Sequence, residues 1–219
     1  MSDPKKHHHV AQFLLSGWCG ADTRLAVYSR KAGRLVIDRH TPEHTGYEPY
    51  LYSLPRRLGG DPQWVEREIF AKVVDEPASR VHKRLLAGEL SKLDAQERSD
   101  WARFIHAQWI RSPEGIAKLK HLGREIMQAE IDCDHAGYLA VKGSAPQSTL
   151  REYVESHEGF YENVILGRFL PRVIDSEGLG SIIINMHWEV LDLSLSDVDL
   201  LTSDRPVMRY LGLKDQNCT

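Results

Sequence analysis

The chain has 219 residues, 42% of them hydrophobic and 27% charged, with a formal net charge of -3. This is enough chain for a substantial core, and the near-neutral balance excludes a global electrostatic pull toward nucleic acid or an anionic membrane. No apolar run approaches the roughly 20 residues a membrane span needs, and Cys19, Cys133 and Cys218 are scattered rather than paired, so the expectation is a cytoplasmic protein with no membrane partner.

The chain opens on Lys5-Lys6-His7-His8-His9-Val10-Ala11-Gln12-Phe13-Leu14-Leu15. An apolar anchor directly after three histidines should hold the imidazoles in place, and imidazole suits proton transfer near neutral pH. Residues 24–37 predict a β-hairpin turning at Lys31-Ala32-Gly33. Residues 40–60, rich in Pro, Gly and Tyr, read as loop with an extended piece at Tyr50-Leu51-Tyr52. Asp61-Pro62 then opens a helix whose apolar face carries Val65, Ile69, Phe70 and Val73, and Pro77 breaks or restarts it before Gly88.

Ser91-Lys92-Leu93-Asp94 reads as a capping-box start. In the helix that follows, Trp101, Phe104, Gln108 and Arg111 fall on one face. A third helix opens at Ser112-Pro113-Glu114 and runs to about Cys133. Thr149-Leu150-Arg151-Glu152 caps a fourth, which Pro171 should end. Beyond Gly180, Ile182-Ile183-Ile184 is β-branched, Trp188–Asp192 reads as a strand, and Asp199–Thr202 as its partner. The expected architecture is α+β within residues 1–219. It has an N-terminal β element (1–60), a helical middle of about four helices (61–171) and a C-terminal β element (179–213), the two β elements meeting in a single sheet.

Three places carry candidate chemistry. His7 and His8 could supply a general base, a phosphate-binding pair or metal ligands; the alternative is a solvated terminus. Arg111 lies on the core side of its helix, where a permanent charge needs an anionic partner, either a structural carboxylate or an anionic ligand. Thr202-Ser203-Asp204-Arg205-Pro206 could hold a carboxylate at a strand end, or be no more than a polar turn. Lys6, Gln12, Gln108 and Ser203 are the candidates for holding substrate. Asp75 and Glu68, seven apart on a helix face, are weak candidates for a divalent metal. Asp132-Cys133-Asp134-His135 and His40-Thr41-Pro42-Glu43-His44 match no closed metal site. A Gly-rich phosphate loop, paired Cys-x-x-Cys motifs and a Gly-x-Ser-x-Gly elbow are all missing from the sequence.

These landmarks in this order resemble the bacterial family known as domain of unknown function 4238. The resemblance rests on the opening Lys-Lys-His-His-His segment, Leu25–Arg30, Val74-Asp75, Phe104 through Arg111-Ser112-Pro113, Trp188–Leu191 and Thr202–Val207. Ala11 stands where the family pattern has proline, and Trp18 where it has phenylalanine. Family members tend to continue further beyond the Ser-Asp-x-Pro segment, which leaves a last strand pair either missing here or supplied by another subunit. The resemblance implies which residues belong together and leaves the reaction open.

Two expectations follow. The first is a hydrolase or transferase for a phosphate-containing substrate, nuclease-like or nucleotide-directed, with His7 or His8 as base, Asp204 orienting it or helping to bind a metal, and Arg111 holding an anionic group. The second is a non-enzymatic binding, regulatory or host-defence module in which the same residues form a buried polar network. An anionic small molecule or nucleic acid is the partner class, and a homo-oligomer is left open.

Overall fold

The computed structural model describes residues 5–56, 60–133, 135–198 and 200–208. Its architecture is α+β, predominantly helical. The N-terminal part holds two separate two-stranded antiparallel sheets. Strand β1 (Lys6–His8) pairs with β4 (Tyr47–Pro49), in the register His7 with Glu48 and His8 with Tyr47. Between them lie a short helix α1 (Gln12–Ser16) and the hairpin of β2 (Leu25–Lys31) and β3 (Arg34–His40). Ala32 and Gly33 both have positive φ, the backbone that a tight two-residue hairpin requires. The extended piece expected at Tyr50–Tyr52 falls three residues earlier. Gly46, at φ +65, turns the chain so that its carbonyl accepts from both His9 N (2.9 Å) and Val10 N (3.1 Å).

The first long helix is wound in two ways. Residues Val65–Asp75 are π-helical, and α2 (Glu76–Leu86) continues in α form with Pro77 in its first turn. Pro77 has no N–H to offer the preceding turn, and Glu76 N reaches back five residues to Ala71 O. This winding determines which acids share a face. Residues nine apart lie on opposite sides of an α-helix, but the wider i→i+5 turn swings them together. Glu66 and Asp75 therefore face the same neighbour, Arg111.

Helix α3 (Ala95–Ile110) starts one turn later than expected, because Leu90–Lys92 forms a 3-10 turn and Asp94 is the cap. The Asp94 side chain accepts from Glu97 N (2.8 Å), and Glu97 accepts from Asp94 N (2.9 Å). α4 (Pro113–Cys133) has the expected extent. α5 (His135–Val141) follows it, and Asp134 lies outside the described residues. The predicted fourth helix is real at its start, where Thr149 caps α6 (Leu150–Ser156), but it is interrupted. Gly159, at φ +83, separates α6 from α7 (Phe160–Val164). A π turn (Ile165–Phe169) then leads into α8 (Leu170–Ile174), where Pro171 sits in the first turn instead of ending the helix.

The C-terminal β element is corrected. Ile182–Ile184 lies in a helix, α9 (Glu177–Asn185), which packs on α3. β-propensity is a preference for a half-buried pleated surface, and here the surface on offer is a helix. Trp188 is held by two local contacts, its Nε1 donating to Ile183 O (2.8 Å) and its ring lying 4.0 Å from the Arg98 guanidinium. Among the described residues no strand forms after β4, so the single sheet joining both ends is absent there. Asp199 and residues 209–213 of that expected element lie outside the described residues.

The main core gathers Tyr52, Val65, Phe70, Val74, Ala78, Phe104, Ala107, Ile116, Leu166 and Leu170. A second cluster unites Met127, Val154, Tyr161 and Ile165. Helix α3 lies against α2, the π stretch, α4, α8 and α9, so its buried face is where the N-terminal strand is received.

Candidate functional site

Strand β1 has one edge paired with β4 and one edge turned into the protein. Backbone groups on the inner edge need partners, and charged side chains provide them. Arg111 Nε donates to the His8 carbonyl at 3.1 Å, and Arg111 Nη2 donates to the same oxygen. The His8 N–H faces the Glu66 carboxylate. Arg111 is completely buried. It binds Asp75 through two parallel bonds, Nη1 to Oδ1 at 2.6 Å and Nη2 to Oδ2 at 3.1 Å, the fork geometry that makes such pairs strong. Its guanidinium carbon lies 4.7 Å from the Phe70 ring. Gln108, one turn earlier on α3, satisfies both neighbours when its amide is turned so that the oxygen accepts from Arg111 Nη1 (3.1 Å) and the nitrogen donates to the His9 carbonyl (3.2 Å). Tyr52 Oη donates to Arg111 O (2.8 Å). The N–H groups of Arg111 are thus directed at His8, Asp75 and Gln108.

The three histidines differ. His7 is fully buried and satisfied at both ring nitrogens: Nδ1 accepts from Tyr52 N (2.9 Å) and Nε2 faces Gln63 Oε1 (2.5 Å), with the ring stacked on Tyr52. The His8 Nδ1 accepts from Gln12 Nε2 at 3.3 Å. Of the four buried side-chain polar atoms without a hydrogen-bond partner among the described residues, three are His8 Nε2, His9 Nδ1 and Glu66 Oε2. Such atoms are scarce in folded proteins, and here they concentrate around one strand.

Burial lowers the pKa of His8; the Arg111 and Lys6 charges add to this, while the carbonyls of Glu43 and Pro42 oppose it. Burial also lowers His9, with Arg111 adding to the effect and the Glu48 and Asp204 carboxylates opposing it. Glu66 is pushed up to about 7 by burial, with Asp75 adding and Arg111 and the His8 amide opposing. Loss of water around the carboxylate is the main reason, and the one guanidinium nearby, already held by Asp75, does not offset it.

The beginning, middle and end of the chain do meet. Val10, Leu14, Trp101, Phe104, Thr202 and Val207 line one cavity of about 470 Å3, but that cavity is apolar. A smaller recess of about 330 Å3 beside it is mixed, with Gln108, Ser112, Glu114, Lys118 and Arg205 alongside Trp109 and Val207. Asp204 is exposed and lies within electrostatic reach of His9. Ser203 Oγ is engaged with Arg205, accepting from its N–H and donating to its carbonyl (both 3.0 Å). Lys6 lies over the Tyr47 ring and pairs with Glu43 at 3.6 Å. Glu68 pairs with Lys72 (2.7 Å) on a solvent-facing part of its helix, whereas Asp75 pairs with Arg111, so the two do not form a common site. No group of three His, Cys, Asp or Glu placed to hold a metal occurs among the described residues.

Sequence reasoning named Arg111, Gln108, His8 and Asp75. It missed Glu66, because α-helical spacing sets that residue apart from Asp75, and it did not single out His9. The Lys118 and Arg205 recess also left no sequence signal. A family model described as "Protein of unknown function (DUF4238)" matches residues 6–219. No curated protein and no solved structure matches the chain.

Proposed function

The chain belongs to the DUF4238 family, and from that footing we propose that it is a hydrolase or transferase acting on a phosphate-containing substrate. The observation that carries the reading is the neighbourhood of His9. Its buried Nδ1 has no hydrogen-bond partner among the described residues, its pKa is held below 6.5, and the late carboxylate of Asp204 is within reach of its charge. A neutral imidazole at pH 7 is ready to accept a proton, and a nearby carboxylate stabilises the imidazolium that results. The recess with Lys118 and Arg205 offers cations to a phosphate, since the exposed Arg205–Glu114 pair can be exchanged at small cost.

In this reading His9 takes a proton from water or a substrate hydroxyl as its oxygen attacks phosphorus. The bond to the leaving oxygen breaks, and the proton passes from His9 to that oxygen. Arg111 acts as a positioning residue, holding the strand carbonyls so that His9 keeps its place. The test is turnover of RNA, DNA and nucleotides with and without divalent metals. His9→Ala should lose at least about a hundredfold in kcat, the low end for a positioned acid or base, and Asp204→Ala should also lower kcat, while melting temperature changes little.

One observation favours a second reading, a non-enzymatic module. Arg111 and His7 are saturated by the protein itself, as in a clamp that ties the N-terminal strand to α3. In that case the wild type turns nothing over, and His8→Ala and His9→Ala act through melting temperature alone.

A further inference from the structure

We infer that this chain pairs with a second copy of itself, the arm at residues 189–201 of each copy lying across the β2–β3 hairpin of the other. The arm is apolar and uncovered: Leu191, Val198 and Leu201 are more than half exposed, and Leu195 is 97% exposed. Apolar surface of this extent marks an interaction site. The arm is also uniformly acidic, carrying Glu189, Asp192, Asp197 and Asp199 and no Lys or Arg.

The hairpin has the complementary character. Residues 24–39 carry Arg24, Arg30, Lys31, Arg34 and Arg39 against one acid, Asp38; Lys31 pairs with Asp38 (2.9 Å) and Arg39 with Asp22 (2.6 Å), so the excess positive charge rests on Arg24, Arg30 and Arg34. Its register puts Tyr28 opposite Ile37 and Arg30 opposite Leu35, all on the outer face. Tyr28, Leu35 and Ile37 are each more than half exposed there. The opposite face packs through Leu25 and Val27 onto Val10 and Leu15. A two-stranded ribbon with one bare apolar face is marginal alone, and an apolar, oppositely charged segment is the partner that would cover it. Because each copy carries one arm and one hairpin, two identical contacts close a two-fold dimer.

The experiment is light scattering on the full chain across a dilution series, with two charge-reversed variants. One is Asp192→Lys with Asp197→Lys in the arm; the other is Arg24→Glu with Arg30→Glu in the hairpin. The expected result is the mass of two chains for the wild type, one chain for each variant alone, and two chains again when all four changes are combined. A monomeric wild type, or a dimer indifferent to every reversal, overturns the inference. If a reversed variant fails to fold, carbodiimide crosslinking of mixed isotope-labelled and unlabelled wild type decides. Arm-to-hairpin links between labelled and unlabelled copies support the dimer; links confined to one copy, or none, overturn it.

Discussion

At the residue scale, the consequential side chain is Arg111, a buried cation whose value lies in what it satisfies. Arg111→Ala removes a partner from Asp75 and from the His8 carbonyl together. Leaving one member of a buried ion pair behind typically costs about 3–5 kcal/mol, and urea denaturation of the variant should show a loss of that order. Glu66 is different, because its effect depends on pH. Its folded pKa of about 7 exceeds the ordinary 4.5. The folded chain keeps a proton that the unfolded chain releases in that window, so the stabilising contribution is complete below pH 4.5 and lost as pH rises through 7. His8 and His9 run the other way: depressed below 6.5, they favour the fold above that pH and oppose it as pH falls. Glu66→Gln keeps the side-chain shape and removes the falling limb. The stability of the variant relative to wild type should therefore rise between pH 5 and pH 8, by at most about 3 kcal/mol, as read by urea midpoints across pH. A constant offset over that range would show that the carboxyl titrates normally.

At the element scale, helices were readable where their signals are local. The Thr149 cap, the hairpin turn at Ala32-Gly33 and the shared face of Trp101, Phe104, Gln108 and Arg111 all depend on neighbours within a turn or two. What stayed illegible depends on tertiary context. The π winding of Val65–Asp75 keeps Val65, Ile69 and Phe70 buried as an α-helix would, but it buries Val74 where Val73 was expected, leaves Val73 exposed, and changes which acid faces Arg111. The Ile182–Ile184 run has strand composition, but the surface it packs on is that of helix α3. The break after α6 is enforced by Gly159. Its backbone is left-handed, and a Cβ there would sit 2.5 Å from Pro55. Gly159→Ala should lower stability by roughly 1–3 kcal/mol through strain and overpacking, visible as a lower melting temperature. An unchanged melting temperature would show that the loop has room to shift.

At the scale of the whole molecule, segments far apart in sequence meet on α3. The N-terminal strand is held from one side by Arg111, Glu66 and Gln108, and the Thr202–Val207 segment runs past the same helix, facing His9 through Asp204. The meeting of these segments was expected from the types of residue they carry. Its internal sorting was not, since burial decides it: His7 is consumed by Tyr52 and Gln63, while His9 Nδ1 is left without a hydrogen bond among the described residues. The central proposal is that His9, whose Nδ1 has no hydrogen-bond partner among the described residues, works beside a late carboxylate in proton transfer at phosphorus. It is tested most directly by product formation from RNA, DNA and nucleotides, wild type against His9→Ala, with melting temperatures recorded on the same samples. The expected result is wild-type turnover that falls at least about a hundredfold in the variant at nearly unchanged melting temperature. Equal turnover in both proteins, or none from the wild type, would contradict it.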